Sequence, residues 1–378
     1  MAIRTAESRS SGDRAALVQE AAGVLRREGV VLLPTETVWG LAADASSVAA
    51  VHRLWQARGS GSGGERRTPL AWHAPSTRRV LELLAPLAPV HRRLIEKLTP
   101  GPVMFAAALA AEKLAAVRDA LGVPPGVLDD GRELLVRVSS HPVASAIIER
   151  CGKPVVVAGV PGKAQARTAE EAMALLEKSG GASSIDLVVS DGPAPMGKQS
   201  TLIRLAPDGS YAVVRVGAVE ERLVRKQLAR TMLFVCTGNT CRSPMAAAIA
   251  RELLARRQGA AGGLTTTVRS AGTWASPGAS ATPEAALAVE KLGMKMPAHS
   301  SSPLTREMIN ESDVIFAMSA SHAQAVRDME PGAAERTFTL DPGGAEIPDP
   351  LGQSQAVYDA TARRLQELIT RRLDEMGW

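Results

Sequence analysis

The sequence has few aromatic residues and very few cysteines. Phenylalanine, tyrosine and tryptophan make up only 3% of the 378 residues, so aliphatic side chains must fill most of the hydrophobic cores. Three cysteines are too few for a disulfide framework, which excludes the small secreted scaffolds that disulfide bonds hold together. The cysteine content instead fits a reducing compartment, where a thiol can serve as a catalytic group.

Long apolar segments are also missing. No run approaches the roughly 20 apolar residues that a membrane-spanning helix needs, and residues 1–12 contain no apolar core of a secretory signal. We therefore expect a cytoplasmic protein with no membrane partner. The formal net charge of +5 is spread along the chain, so it permits an anionic substrate without by itself indicating nucleic acid.

The length of the chain predicts two domains, because a single hydrophobic core rarely grows beyond about 250–300 residues. A short charged segment of helical character, residues 219–230, has the properties of a connector. We place the boundary inside this segment. The prediction is an N-terminal domain over residues 1–227 and a C-terminal domain over residues 228–378.

The most informative stretch is residues 233–244, where an apolar run enters a loop rich in glycine and hydroxyl groups and then a helix. The spacing of Cys236 and Arg242 lets a thiolate and a guanidinium face one tetrahedral anion. Backbone amides of such a loop form an anion-binding nest, and the helix N-terminus adds partial positive charge. Both effects favour the thiolate of Cys236, the form that attacks phosphorus. The stretch predicts a phosphate-binding loop with a cysteine nucleophile.

Strand and helix patterns alternate through the C-terminal half, which predicts a doubly wound α/β domain with a four-stranded parallel sheet. Ligands of such sheets bind at the carboxyl ends of the strands, where the loop after the first strand lies. A phosphatase also needs an acid for the leaving group and a base for the attacking water. Two Asp-Pro pairs, at Asp341 and Asp349, compete for that role.

The string Cys236-Thr-Gly-Asn-Thr-Cys-Arg-Ser-Pro resembles the signature of the low-molecular-weight protein-tyrosine-phosphatase family, and further motifs match as far as residues 349–352. The resemblance assigns the acid and base role to Asp349, since Asp349-Pro-Leu-Gly matches a family element. It implies that the remaining site residues are Cys236, Thr237, Gly238, Asn239, Thr240, Cys241, Arg242, Ser243, Ser270 and His299. No cofactor is implied, and no cluster with ligand spacing predicts a metal.

The substrate prediction depends on Thr240. Tyrosine phosphatases of the family usually carry an aliphatic residue at this position, whereas the protein-arginine phosphatases carry threonine, which this sequence resembles. A hydroxyl there can hydrogen-bond near a scissile P–N bond. We expect a phosphorylated protein as substrate and favour phosphoarginine over phosphotyrosine. The alternatives are an arsenate reductase, which would need cysteines after Cys241, and a redox module in which Cys241 traps oxidised Cys236.

The N-terminal half resembles the YrdC family of threonylcarbamoyl-AMP synthases. Pro34-Thr-Glu-Thr-Val-Trp-Gly-Leu-Ala-Ala-Asp-Ala matches the family's first motif, and others follow in the family's order up to residues 214–218. The resemblance implies a twisted mixed-sheet α/β domain that uses ATP, with or without Mg²⁺, threonine and bicarbonate to make an intermediate for tRNA modification. The candidate threonine and nucleotide residues are Thr35, Thr37, Arg58, Arg137, Ser200 and Arg215.

Two family elements differ in this half. Where the family has a Lys-x-Arg-Pro element, this chain has Gln56-Ala-Arg58, so one cation is missing, although Arg66 and Arg67 could replace it. The family's Ser-x-Asn element is absent from the matching residues 158–163. A triphosphate site loses affinity when it loses cations and hydrogen-bond donors. Three alternatives stay open: a bifunctional enzyme with an active synthase, a degenerate domain that still binds a nucleotide or RNA, and a structural or regulatory remnant.

Overall fold

The computed structural model describes residues 4–7, 11–59, 68–162, 165–257 and 264–376. The chain divides into two compact units, Met1–Gln227 and Leu228–Trp378. Within the described ranges, no helix combines the length and the apolar character that crossing a membrane requires.

The N-terminal unit contains a ten-stranded mixed sheet, which confirms the predicted fold class. Its strands are β1 Arg4–Glu7, β2 Val31–Leu33, β3 Gly40–Asp44, β4 Trp72–His73, β5 Val103–Ala108, β6 Glu133–Arg137, β7 Val155–Gly159, β8 Leu187–Ser190, β9 Thr201–Leu205 and β10 Tyr211–Arg215. They lie side by side in the order β1-β8-β2-β3-β7-β4-β6-β5-β9-β10. The β2 strand is parallel to β8 and antiparallel to β3.

Helices surround this sheet, and short polar or conformational signals set their ends. They are α1 Ser11–Arg26, α2 Val48–Ala57, α3 Thr77–Leu84, α4 Pro89–Leu98, α5 Ala111–Leu121, α6 Pro142–Cys151, α7 Ala169–Lys178 and α8 Glu221–Gln227, with a 3₁₀ turn at Ala182–Ser184. Ser47 caps α2 by accepting a hydrogen bond from the Ala50 amide at 3.1 Å. Gly122 ends α5 at φ +64°, a conformation that glycine adopts at little cost.

The C-terminal unit is built on a four-stranded sheet in which every pair is parallel, as predicted. Its strands are β11 Ala229–Cys236, β12 Thr265–Gly272, β13 Val314–Ala317 and β14 Thr337–Thr339, in the order β12-β11-β13-β14. Its helices are α9 Arg242–Arg257, α10 Pro283–Lys291, α11 Arg306–Asn310, α12 Ala320–Met329 and α13 Gln355–Glu375, with a 3₁₀ segment at Pro331–Arg336.

Both faces of the C-terminal sheet are covered, so its central strand is apolar on both sides. Along β11, Met232 and Phe234 belong to one buried cluster, and Leu233 and Val235 belong to a second. The ring of Phe234 stacks on Phe316 of β13 with centroids 5.7 Å apart. The two clusters fix β11, and thereby the loop at its carboxyl end.

Candidate active site and ligand cavity

The loop between β11 and α9 makes a sharp turn at Asn239. This residue has φ +56°, the left-handed region that a side chain with a Cβ rarely occupies. Three hydrogen bonds hold it: Oδ1 accepts from the Ser302 amide at 2.9 Å, Nδ2 donates to Ser243 Oγ at 2.9 Å, and the carbonyl accepts from His299 Nε2 at 2.7 Å. Predicted residues Asn239, Ser243 and His299 therefore lie together and stabilise the strained turn.

The loop also packs closely on the end of β12. A Cβ on Gly272 would lie 2.4 Å from the Thr237 carbonyl oxygen and 2.9 Å from the Asn239 amide nitrogen. Only glycine lets the two backbones approach in this way. Close packing does not require glycine at position 238, because a Cβ there would meet no atom closer than Thr240 Oγ1 at 3.6 Å.

Cys236 ends β11 and is 2% exposed, with its Sγ 2.9 Å from Ser243 Oγ. Burial raises the pKa of the Cys236 thiol, whereas hydrogen bonds to the Ser243 hydroxyl and to backbone amides of the loop, together with the charge of Arg242, lower it. The contacts with the loop thus lower the pKa of the thiol, which is the direction expected from the sequence. The net shift is nevertheless upward, because desolvation of the thiol outweighs these contacts.

Arg242, the first residue of α9, is 3% exposed and held on two sides. Nη1 donates to the Ile347 carbonyl at 2.9 Å, and Nη2 donates to Thr237 Oγ1 at 3.1 Å and to Asp349 Oδ2 at 2.5 Å. Nε is buried and has no hydrogen-bond partner among the described residues. A buried donor without an acceptor is costly, and a phosphoryl oxygen is an acceptor that a guanidinium binds well.

The two Asp-Pro candidates have different surroundings. Asp349 lies against Arg242, and its side chain is 42% exposed. Asp341 accepts hydrogen bonds from the Gly343 amide at 2.8 Å and from Arg364 at 2.6 Å, and these contacts lower its pKa. The structure thus brings Asp349 to the loop and leaves Asp341 paired with Arg364.

A histidine that the sequence did not single out completes the group around Arg242. His322 Nε2 lies 2.9 Å from Thr237 Oγ1, and its Nδ1 lies 2.6 Å from Ser319 Oγ. Burial, followed by the charge of Arg242, lowers the pKa of His322, which favours the neutral ring. The local signal was only the Ser319 cap of α12, three residues before the histidine.

Three predicted loop neighbours have other surroundings. The Ser270 hydroxyl forms no hydrogen bond within the described ranges, so Ser270 does not join the hydrogen-bond network that the resemblance implied. Ser270 lies with His299 beside a cavity of about 50 Å³. Thr240 Oγ1 is 3.7 Å from Cys241 Sγ. Cys241 Sγ in turn lies 3.4 Å from the Tyr358 hydroxyl, whose pKa is raised to about 12 by burial and by this contact.

The N-terminal unit holds a separate cavity of about 540 Å³. Five of the six predicted residues line it: Thr35, Arg58, Arg137, Ser200 and Arg215. Thr37 does not line the cavity. It is fully buried and hydrogen-bonds to Thr35 Oγ1 and to Arg137 Nη2, both at 2.9 Å. Thr37 therefore lies behind the wall of the cavity and positions residues that form it.

Glu36, between the two threonines, pairs with Arg137. Its Oε1 accepts from Arg137 Nη2 at 2.7 Å and its Oε2 accepts from Ser139 Oγ at 2.6 Å. Burial raises the pKa of Glu36, but the charge of Arg137 and the hydrogen bonds from Ser139 and Arg137 together lower it by more. The net shift of the pKa is therefore downward. The ion pair neutralises one of the three arginines of the cavity.

Several buried polar atoms of the cavity residues have no hydrogen-bond partner in the part of the chain that the structure describes. They are Nε2 of His73 and Nε of Arg58 and Arg137. Burial, then the charge of Arg137, lowers the pKa of His73 to about 3, so its ring is neutral. The two arginine Nε–H groups fit a ligand rich in acceptors, as a nucleotide is, whereas the neutral ring of His73 donates from Nδ1 to the Ala71 carbonyl at 3.1 Å, which makes its Nε2 an acceptor. Sequence reasoning missed His73, since no adjacent residue marks it.

The departures from the YrdC pattern are visible at the same cavity. Ala158, Gly159, Val160 and Pro161 form part of its wall, so the polar Ser-x-Asn element is replaced by a largely apolar surface. Arg66, Arg67 and Lys163 lie outside the described residues. Across the ranges that are described, no group of three or more histidine, cysteine, aspartate or glutamate residues could hold a metal ion.

Two family models match the chain. Residues 231–377 match the model described as "Low molecular weight phosphotyrosine protein phosphatase". Residues 23–217 match the Sua5/YciO/YrdC model, described as "Telomere recombination". The second match alone covers more than half of the chain, and the two matches do not overlap.

Individual relatives agree with this division. A protein-arginine-phosphatase of Bacillus subtilis is 40% identical over 144 residues, which cover 36% of this chain and 91% of the relative. The low-molecular-weight protein-tyrosine-phosphatase Ptp of Acinetobacter johnsonii is 32% identical over 37% of this chain and 93% of the relative. A threonylcarbamoyl-AMP synthase of Bacillus subtilis is 30% identical over 54% of this chain and 55% of its own length.

Proposed function

Since the chain belongs both to the low-molecular-weight phosphatase family and to the Sua5/YciO/YrdC family, we propose that it is a cysteine-dependent protein-arginine phosphatase fused to a nucleotide-binding domain. The observation that carries the phosphatase proposal is the loop after β11. One site contains a buried thiol, a buried arginine whose Nε has no partner among the described residues, and a carboxylate 2.5 Å from that arginine.

The proposed reaction has two steps. The Cys236 thiolate attacks phosphorus and the P–N bond breaks, while Asp349 gives its proton to the departing guanidine nitrogen. Asp349 then takes a proton from a water molecule that attacks the cysteinyl phosphate, which releases inorganic phosphate and the thiolate. In both steps Arg242 and the backbone amides of the loop stabilise the charge on the phosphoryl oxygens.

Phosphoarginine is favoured over phosphotyrosine by two observations. The arginine-phosphatase relative is more similar to this chain than the tyrosine-phosphatase relative, at 40% against 32% identity. Thr240 also places a hydroxyl in the loop where an aliphatic side chain could only pack.

Turnover of matched phosphoarginine and phosphotyrosine peptides tests this proposal. We expect the wild-type chain to prefer phosphoarginine, and Thr240→Ile to reduce that preference by lowering kcat/KM for phosphoarginine. A wild-type preference for phosphotyrosine would refute the substrate assignment.

A second function is favoured by the N-terminal cavity, whose arginines suit an anionic nucleotide and include two buried Nε–H donors that have no partner among the described residues. We propose that it binds ATP, and synthesis of threonylcarbamoyl-AMP is the candidate activity. The full chain, carrying Cys236→Ser to remove the phosphatase nucleophile, should be given ATP, Mg²⁺, threonine and bicarbonate. An active synthase would form pyrophosphate and an adenylate product, whereas a degenerate site would bind ATP without forming product. The absence of both product and ATP binding would contradict the nucleotide assignment.

A further inference from the structure

We propose that Glu346 determines substrate specificity by binding the positively charged guanidinium of phosphoarginine. The inference rests on the proposed phosphatase function and adds a residue to its recognition of substrate. Glu346 lies on the same loop as Asp349, three residues earlier. Its Oε1 is 4.0 Å from Arg242 Nη1, and its side chain is 65% exposed, so the carboxylate lies at the mouth of the site.

The backbone beside Glu346 is fixed. Ile347 is buried, its amide donates to the Met318 carbonyl at 2.9 Å, and its own carbonyl accepts from Arg242 Nη1 at 2.9 Å. These contacts tie the loop to the end of β13 and to the arginine itself. The Glu346 carboxylate is therefore carried on an anchored backbone, although its side chain reaches solvent.

The charges around Arg242 are unusual for a site that takes a phosphoryl dianion. One buried guanidinium is faced by two carboxylates, Asp349 at 2.5 Å and Glu346 at 4.0 Å. The other titratable groups close to this guanidinium are His322 and the nucleophile Cys236; His322 has a lowered pKa and adds no positive charge in its neutral form. A substrate with an uncharged leaving group would be repelled by these carboxylates and would have to compete with them for Arg242.

Only one of the two carboxylates has a chemical role in the proposed reaction. Asp349 supplies the proton, whereas Glu346 makes no hydrogen bond to any described residue and is not needed as an acid or base. A phosphoarginine substrate accounts for it, because the guanidinium carries positive charge directly beside the phosphoryl group. The same carboxylate then attracts this substrate and repels a phosphotyrosine, which provides discrimination in both directions.

Because Glu346 is exposed, its effect on binding should be modest and sensitive to salt. For the full chain we expect Glu346→Gln to lower kcat/KM for a phosphoarginine peptide by about two- to fivefold at low ionic strength. The same variant should leave kcat/KM for a matched phosphotyrosine peptide unchanged or raise it. The loss with phosphoarginine should shrink as salt is added.

Glu335→Gln is the matched control, since Glu335 is also exposed but lies in the 3₁₀ segment that enters the amino end of β14, whereas the loop of Glu346 follows the carboxyl end of that strand. It should change neither substrate's turnover. If wild type cleaves phosphoarginine and Glu346→Gln leaves the ratio of the two substrates unchanged, the role of Glu346 is refuted and the phosphatase assignment stands. If wild type does not cleave phosphoarginine, the substrate assignment itself fails and Glu346 loses its role with it.

Discussion

Replacing His322 with alanine tests how the phosphate-binding arginine is held. Thr237 Oγ1 accepts a hydrogen bond from Arg242 Nη2 at 3.1 Å, which leaves the threonine proton free. We assign His322 the tautomer in which Nε2 accepts that proton at 2.9 Å and Nδ1–H donates to Ser319 Oγ at 2.6 Å. Alanine at position 322 removes the acceptor and leaves the hydroxyl of Thr237 without this partner.

The size of the effect follows from these contacts. Thr237 is exposed, so water can take the place of His322, and the cost is that of one intramolecular hydrogen bond, about 0.5–1.5 kcal/mol. Arg242 keeps its bonds to the Ile347 carbonyl and to Asp349, so only part of its support is lost. We expect a loss of at most about 0.5–1.5 kcal/mol in transition-state stabilisation, which corresponds to roughly a 2- to 13-fold lower kcat/KM. The loss should appear mainly in kcat, since Arg242 acts most strongly as charge builds on the phosphoryl group.

The pH dependence gives a second readout. The pKa of His322 is lowered by burial and by Arg242, so the neutral ring that accepts from Thr237 persists at pH values above that lowered pKa. Below it, protonated His322 cannot accept a hydrogen bond and repels Arg242. Wild-type activity should therefore decline on the acidic side as His322 gains its proton, and His322→Ala should lose this part of the decline.

The assay is steady-state hydrolysis of the preferred phosphopeptide by the full chain, with kcat and KM resolved at each pH. His52→Ala is the control, because His52 is an exposed histidine of α2 in the other unit. Unchanged kinetics in His322→Ala, a rise in KM alone, or an acidic decline identical to that of wild type would refute the role assigned to His322.

Two further predictions concern other groups. Asp349→Asn should lower kcat by about 100- to 10,000-fold, the range for loss of a general acid, whereas Asp341→Asn should leave kcat within about twofold; equal losses in peptide turnover would contradict the assignment. For His73, the pKa of about 3 in the folded state lies below the value near 6.5 in the unfolded state. The contribution of neutral His73 to the free energy of unfolding is therefore complete above pH 6.5 and is lost as the pH falls towards 3. Urea unfolding of the full chain should show up to about 1.4 kcal/mol lost per pH unit, and His73→Gln should remove that slope.

The phosphate-binding loop could be predicted from the sequence because its chemistry is contiguous. Cys236 and Arg242 lie on one turn of chain between a strand and a helix, so local pattern alone brings them together. The parallel sheet was predictable for a similar reason, since strand and helix periodicities alternate without interruption in the C-terminal half. Asp349 needed the family resemblance as well, because two Asp-Pro pairs fitted the chemistry.

What the sequence could not predict depends on contacts between distant segments. His322 reaches Thr237 from the start of α12, and His73 lies on the two-residue strand β4; neither has a neighbouring motif. The position of Thr37 behind the cavity wall also depends on a distant contact, because its hydroxyl bonds to Arg137, a hundred residues later in the chain. The pKa of Cys236 depends on how completely the fold buries the thiol, and burial cannot be read from the loop's own residues.

The scarcity of aromatic residues has a practical consequence for spectroscopy. Trp39, Trp55 and Trp72 all lie in the N-terminal unit and are at most 6% exposed, whereas Trp274 in the C-terminal unit is 85% exposed. Trp378, the last of the five tryptophans, lies outside the described residues. Indole emission from the three buried side chains should shift to longer wavelength when the N-terminal unit unfolds, while Trp274 already emits from water. The natural sequence thus supplies an optical reporter for one unit without any label.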